Sequence, residues 1–174
     1  MRILISIVIL LAVITVGIYG FGVNLPETHK TIRTATYHQP AQALWPLVAN
    51  YEKAPEWSSN IRKVERREDK DSLPVWRFYD KRGHYMDIQV LRSEEPRMLI
   101  SRIIETDMPF GGTWTIELKP SAETTATEVT LMEEGIVKSP FWRFLCHFLM
   151  GSQGMVDQYL TELGKAVGET PSIR

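Results

Sequence analysis

The chain has 174 residues, 44% hydrophobic and 24% charged, with a formal net charge of −1. That length holds one globular domain and a short appendage, and the near-neutral charge excludes binding to a phosphate backbone, which needs a concentrated excess of Lys and Arg. The single cysteine, Cys146, excludes an internal disulfide and a cysteine-based zinc site.

Residues 3–23 carry no charge, and about twenty apolar residues are what a helix needs to cross a bilayer. The run exceeds the roughly 7 to 15 residues of a signal-peptide core, and no small-x-small cleavage site follows it. Residues 1–23 therefore read as an uncleaved anchor, giving a single-pass membrane protein. Arg2 and the free amine favour a cytoplasmic N-terminus, with Lys30 and Arg33 competing from the other side. The soluble domain is expected on the extracytoplasmic side. Residues 24–28, with Pro26, form a short linker, residues 29–168 the domain, and residues 169–174 a tail.

Residues 29–38 alternate branched and polar side chains and read as a first strand, stopped by Gln39 and Pro40. Residues 41–49 have helical character, although Pro46 in a helix interior costs about 3 kcal/mol, so a short, bent helix is expected. Pro55 opens a further turn carrying Trp57. Residues 64–69 are mostly charged and suit an edge strand. Around them Arg62, Lys63, Arg66 and Arg67, interrupted by Glu65 and followed by Glu68 and Asp69, read as a solvated face.

Residues 75–80 and 84–92 form a hairpin. A two-residue turn at Arg82 and Gly83 would pair Tyr79 with Met86; a three-residue loop with Gly83 left-handed pairs Phe78 with Met86 and Trp76 with Ile88. The second register gathers the large apolar side chains on one face and sets Arg77 opposite Asp87 and Tyr79 opposite Tyr85. Residues 97–105 are another strand, of ambiguous facing. Residues 111–119 send Trp114, Ile116 and Leu118 to one side, and residues 125–137 send Val129 and Leu131 inward.

Residues 139–167 read as a helix with Ser139 as its cap, Pro140 in its first turn and Gly168 as its terminator. Leu149, Val156, Leu160, Leu163 and Val167 form one stripe, with Asp157, Glu162 and Lys165 on the other side. Gly151 and Gly154 interrupt it and let its apolar first half move separately. The economical architecture is α+β: a curved antiparallel sheet of six or seven strands wrapped on this long C-terminal helix, plus the N-terminal transmembrane helix. Function would then occupy the space between sheet and helix.

Residues 39–57, QPAQALWPLVANYEKAPEW, resemble the opening of the START-like (SRPBCC) superfamily, especially its polyketide cyclase/dehydrase-like members, through Pro40, Ala41, Trp45, Pro55 and Trp57. FGGTWT at residues 110–115, the strand to Gly135, and Tyr159 with Leu160 look like later landmarks of that superfamily; Pro46 departs from its pattern. The resemblance implies a helix-grip fold with a deep cavity under the long helix and ligands that are lipids, sterols, polyketides or other apolar molecules. It implies no single activity.

The side chains expected to line the space are Trp57, Trp76, Phe78, Met86, Ile88, Trp114, Ile116, Leu131, Glu133, Leu149, Val156 and Leu160. Glu133 continues the inward alternation of Val129 and Leu131, and a carboxyl there would rise in pKa through desolvation and serve as a general acid or base or hold a ligand's polar end. Solvation at a twisting strand end is the alternative. His84 belongs to a hairpin tip, and Arg143 and His147 to a solvent-facing stripe. Cys146 reads as a small buried hydrophobe. The histidines are too scattered for a metal site, and no cofactor or phosphate-loop motif occurs. Residues 106–112, TDMPFGG, suit a lid. Trp142, Phe144 and Phe148 cannot all face the sheet; they are expected on the short helices, the alternatives being the cavity mouth or the membrane. Membrane-anchored binding of a hydrophobic small molecule or lipid is the expected function. A cyclase or dehydratase using a cavity carboxylate, and a protein-interaction module, are the alternatives.

Overall fold

The computed structural model describes residues 1–121, 125–150 and 154–174, and their side chains except those of Arg2, Leu149 and Met150. Helix α1 (Arg2–Asn24) leads into strand β1 (Thr28–Tyr37), helix α2 (Ala41–Ala49), a 3-10 turn (Tyr51–Lys53) and helix α3 (Ala54–Trp57). Six strands follow: β2 (Ile61–Lys70), β3 (Leu73–Asp80), β4 (Tyr85–Glu94), β5 (Met98–Thr106), β6 (Phe110–Pro120) and β7 (Thr127–Val137). Helix α4 (Pro140–Leu145), a π-helical turn (Cys146–Met150) and helix α5 (Gly154–Ala166) complete the chain. All seven strands form one antiparallel sheet in the order β1-β7-β6-β5-β4-β3-β2. The fold is the helix grip, with β2 as the charged edge strand.

The β3–β4 hairpin has the expected register: Phe78 pairs with Met86, Trp76 with Ile88, Arg77 with Asp87 and Tyr79 with Tyr85. Gly83 has φ +91°, a conformation that costs a residue without a Cβ little, and so closes the three-residue loop. In β6 and β7, Trp114 lies opposite Glu133, Ile116 opposite Leu131 and Leu118 opposite Val129, so these six share the inner face. In β5, Leu99 and Ser101 are the buried positions.

The inner face meets α2 and α5. Tyr37, Leu44, Val48, Leu118, Val129 and Leu131 pack with Val156, Leu160 and Leu163 of α5 in one cluster. Each fully buried side chain of this size contributes roughly 1.5–3 kcal/mol. Glu162, expected on the solvent side of α5, is instead buried, because its carboxylate accepts hydrogen bonds from Ser59 N (3.0 Å), the Ser59 hydroxyl and Gln158 Nε2 (2.8 Å). Burial would raise its pKa, but these hydrogen bonds together win and lower it. They hold α3, and with it Trp57, against α5. Gly168 ends the helix region with φ +77°, and Glu169 N donates to Gly164 O.

The outer face carries paired polar side chains beside the exposed Ile32 and Ile136. Arg77 donates to both Asp87 oxygens at 2.6 and 2.8 Å and lies 4.0 Å from the Tyr85 ring centre, and Arg102 donates to the buried Gln89. At the far edge the tail pairs with β1 through two backbone hydrogen bonds between Thr34 and Arg174, covering an open strand edge.

Three expectations about the segment beginning at residue 139 need correction or detail. Ser139 holds the cap position of α4, but its hydroxyl makes no capping hydrogen bond. The helix does break in this region, with α4 passing into the π-helical turn and Gly154 opening α5; Gly151 lies outside the described residues. Arg143 is not on a solvent-facing stripe. It donates to Leu25 O (2.8 Å) and Lys138 O (3.2 Å) and pairs with Glu27, because α4 packs on the end of α1 rather than on the short helices. The two approach closely at Gly22, where a Cβ would lie 1.9 Å from Pro140 O. His147 is exposed.

Candidate functional site

The site is organised around Glu133. Strict alternation along β7 turns it inward after Val129 and Leu131, and its residue is only 5% exposed. Trp114, directly opposite on β6, donates its indole N–H to Oε1 over 3.2 Å. The other oxygen, Oε2, is buried and has no hydrogen-bond partner among the described residues. Desolvation raises the Glu133 pKa, against the opposing pull of Trp114 and His29.

His29 reaches this carboxylate from β1, its Nε2 standing 3.9 Å from Oε2 with a third of its side chain exposed. Its place depends on Gly135, its cross-strand partner: a Cβ there would fall 2.2 Å from the imidazole ring. A glycine on β7 thus opens the space in which the imidazole lies beside the acid. On the π-helical turn, burial and then the Glu133 charge push the half-buried Cys146 thiol pKa up.

Aromatic side chains extend inward from the acid. Tyr159 of α5 stands between Trp114 and Trp57, with ring centres 5.6 and 5.2 Å away and nearly perpendicular planes. Tyr51 packs edge-on against Phe78 at 5.1 Å and Trp76 at 6.2 Å. Burial pushes the Tyr51 phenol up to about 12 against a hydrogen bond with Ser101, and raises Tyr159 further, so both are neutral donors. The buried indole N–H of Trp57 has no partner among the described residues. A buried unpaired polar group costs about 1–3 kcal/mol, a cost that a guest with a matching group would relieve.

The side chains expected to line a cavity separate into two groups. Ile116, Leu131, Val156 and Leu160 belong to the packed core, and Phe78 is also buried. Trp57, Trp76, Met86, Ile88 and Trp114 are partly buried on the inner face. The Leu149 side chain lies outside the described residues. A solvent-open concavity of about 390 Å³ is lined by Trp45, Pro46, Ala49, Asn50, Tyr51, Trp76 and Glu95, and of the expected set only Trp76 borders it. The link expected as a lid is tied down where Tyr85 N donates to Asp107 and Met108 N to the Thr106 hydroxyl. Among the described residues no group of three or more His, Cys, Asp or Glu is placed to hold a metal.

The lining set omitted His29, Tyr51, Ser101 and Tyr159. Tyr159 sits one residue before the apolar Leu160, and its place in the helix was the available signal. His29 had none, because only the pairing of β1 with β7 carries it to Glu133.

Residues 28–167 match the family model described as "Polyketide cyclase / dehydrase and lipid transport". No curated protein matches by sequence. Among solved structures, the ZhuI aromatase/cyclase from Streptomyces sp. R1128 is similar at 16% identity and TM-score 0.62, covering 82% of this chain and 99% of its own. Norcoclaurine synthase from Thalictrum flavum is similar at 14% identity and TM-score 0.62, with 84% and 90% covered. A START superfamily protein from Mycobacterium smegmatis is similar at 14% identity and TM-score 0.59, with 79% and 99% covered. At these identities the likeness is one of fold.

Proposed function

Because the chain belongs to the polyketide cyclase/dehydrase and lipid transport family, we propose that it is a membrane-anchored protein that binds a hydrophobic small molecule or lipid between its sheet and its C-terminal helices, with the guest's polar end on Glu133. The observation that carries this reading is a buried acid whose Oε2 has no hydrogen-bond partner among the described residues and faces only the His29 imidazole at 3.9 Å. Trp57, Trp76, Met86, Ile88 and Trp114 supply the apolar contact. The filled core under α5 confines the guest to the end of the sheet where Glu133 and His29 lie. Anchoring is supported by Ile3–Asn24, whose mean hydropathy is 2.7 and whose apolar side chains are exposed. Arg2 and the free amine support a domain on the extracytoplasmic side, with Lys30 and Arg33 opposing them. The test is native mass spectrometry and organic extraction of the full chain purified from membranes. A stoichiometric apolar guest, lost in Glu133→Leu, is the expected result; a protein that is empty in every membrane preparation overturns the reading.

The 3.9 Å separation of His29 Nε2 and Glu133 Oε2 favours a second reading, a cyclase or dehydratase. For a dehydration, the Glu133 carboxylate removes a proton α to a guest carbonyl and returns it to the β-hydroxyl, which leaves as water as the C=C bond forms and restores the carboxylate, with His29 holding the acid in place. Turnover of a polyketide-like substrate that fails in both Glu133→Gln and His29→Ala is its expected signature.

A further inference from the structure

The segment formed by α4 and the π-helical turn has two different faces. Inward, it lies over the Glu133 end of the sheet: Trp142 packs on Phe110 of β6 with ring centres 5.5 Å apart, and α4 touches β7, the strand that carries Glu133. Outward, Phe141 is 44% and Phe148 55% exposed, although each is large and apolar. Exposed aromatic side chains on one short segment mark a surface meant to be covered.

Its position says what covers it. Gly22 lets Pro140 lie directly on the last turn of α1, and Arg143 binds Leu25 O and Glu27 just beyond that turn. The segment is therefore held at the depth where α1 leaves its bilayer, beside a helix end that itself exposes Tyr19 and Phe21. Arg143, the one permanent cation of the segment, is turned back toward the chain, and Lys138 is exposed just before it, at the level where a long cationic side chain reaches headgroups. The cations around Glu133 are also occupied: Arg33 is paired with Asp157 and Lys30 with Glu134. No free cation among the described residues there matches a phosphate, whereas a hydroxyl can donate to the carboxyl oxygen that lacks a hydrogen bond, and a carbonyl can accept from it when Glu133 is protonated.

We propose that α4 and the π-helical turn lie in the bilayer leaflet at which α1 ends, and that a neutral amphiphile with a hydroxyl or carbonyl end passes from that leaflet to Glu133 beneath this segment without crossing water. The placement of the segment depends only on α1 spanning a membrane; the identity of the amphiphile rests on the binding function proposed above. One short segment thus carries both the rings that meet lipid, Phe141 and Phe148, and the ring packed on the sheet, Trp142, so moving it opens the site toward the leaflet.

The experiment uses the full chain in phosphatidylcholine nanodiscs doped with dioleoylglycerol. Spin labels are attached at position 148 (Phe148→Cys in a Cys146→Ser background), at position 141 by Phe141→Cys as a second reporter, and at position 68 by Glu68→Cys as an aqueous control. The labels at 148 and 141 should relax with oxygen and resist a water-soluble nickel chelate, with the opposite at 68. Labels at 148 and 141 that are as open to nickel as position 68, or closed to both reagents as under a protein partner or a second copy, overturn the docking. Native mass spectrometry of the same preparation should give a diacylglycerol adduct, reduced at least several-fold in Glu133→Leu. A phosphatidylcholine adduct in its place overturns the neutral guest, and embedded labels with no lipid adduct overturn the binding reading while supporting the docking.

Discussion

Trp114 and Glu133 face each other across β6 and β7, and a 3.2 Å hydrogen bond satisfies one carboxyl oxygen, while the other has only the His29 imidazole, 3.9 Å away. The acid is thus held in place but not fully solvated by the protein, and desolvation raises its pKa above the ordinary 4.5. A folded-state pKa above the unfolded one means the native state holds the proton more tightly. The stability this gives is complete below the ordinary carboxyl value and is lost as pH rises through the raised value. Chemical denaturation of the wild type across that window should show a fall in stability that Glu133→Gln removes, since the amide keeps the shape and cannot ionise. An unchanged profile in the variant would assign the pH dependence to another group.

Gly22 and Gly20 give a paired test of the contact between α1 and α4. A Cβ at Gly22 would meet Pro140 O at 1.9 Å, whereas at Gly20 nothing lies within 4 Å. Gly22→Ala should cost about 1–3 kcal/mol or shift α4 off α1, as overpacking does, and Gly20→Ala should be neutral or slightly favourable. Thermal unfolding of both variants in the same detergent checks this, and equal melting points would rule the contact out.

Glu162 fastens α3 to α5 through Ser59 and Gln158. Replacing it by Ala removes hydrogen bonds to a charged group and should cost about 2 kcal/mol. Because Trp57 lies on the tethered element, its fluorescence should shift to the red in a Trp57-only background, a signal that a loss confined to α5 would not give.

On the opposite face, Asp87 accepts two hydrogen bonds from Arg77 and is buried. Asp87→Ala leaves the guanidinium without its fork partner and should destabilise the domain by about 2–3 kcal/mol. Retention of an extracted guest should stay at the wild-type level, because the pair lies on the outer face of the sheet. Loss of guest at temperatures where the fold persists would place the pair in the binding machinery.

The features legible in the sequence are those set by neighbouring residues. An uncharged run of helical length marked α1, loop length and one left-handed glycine decided the β3–β4 register, and alternation along β7 turned Glu133 inward. Each follows from a local period or a backbone preference, and no distant contact alters it. What only the tertiary structure decided is the fate of polar side chains on elements whose period is ambiguous. Arg143 and Glu162 fall on the sides of their helices that a hydrophobic pattern assigns to solvent, yet Leu25 and Ser59, more than a hundred residues away in the chain, take them out of water. His29 meets Glu133 only because the first strand pairs with the last. A pattern of apolar spacings records where water is excluded, but the partner that satisfies a buried charge is chosen by the closing of the sheet, and that choice leaves no periodic trace.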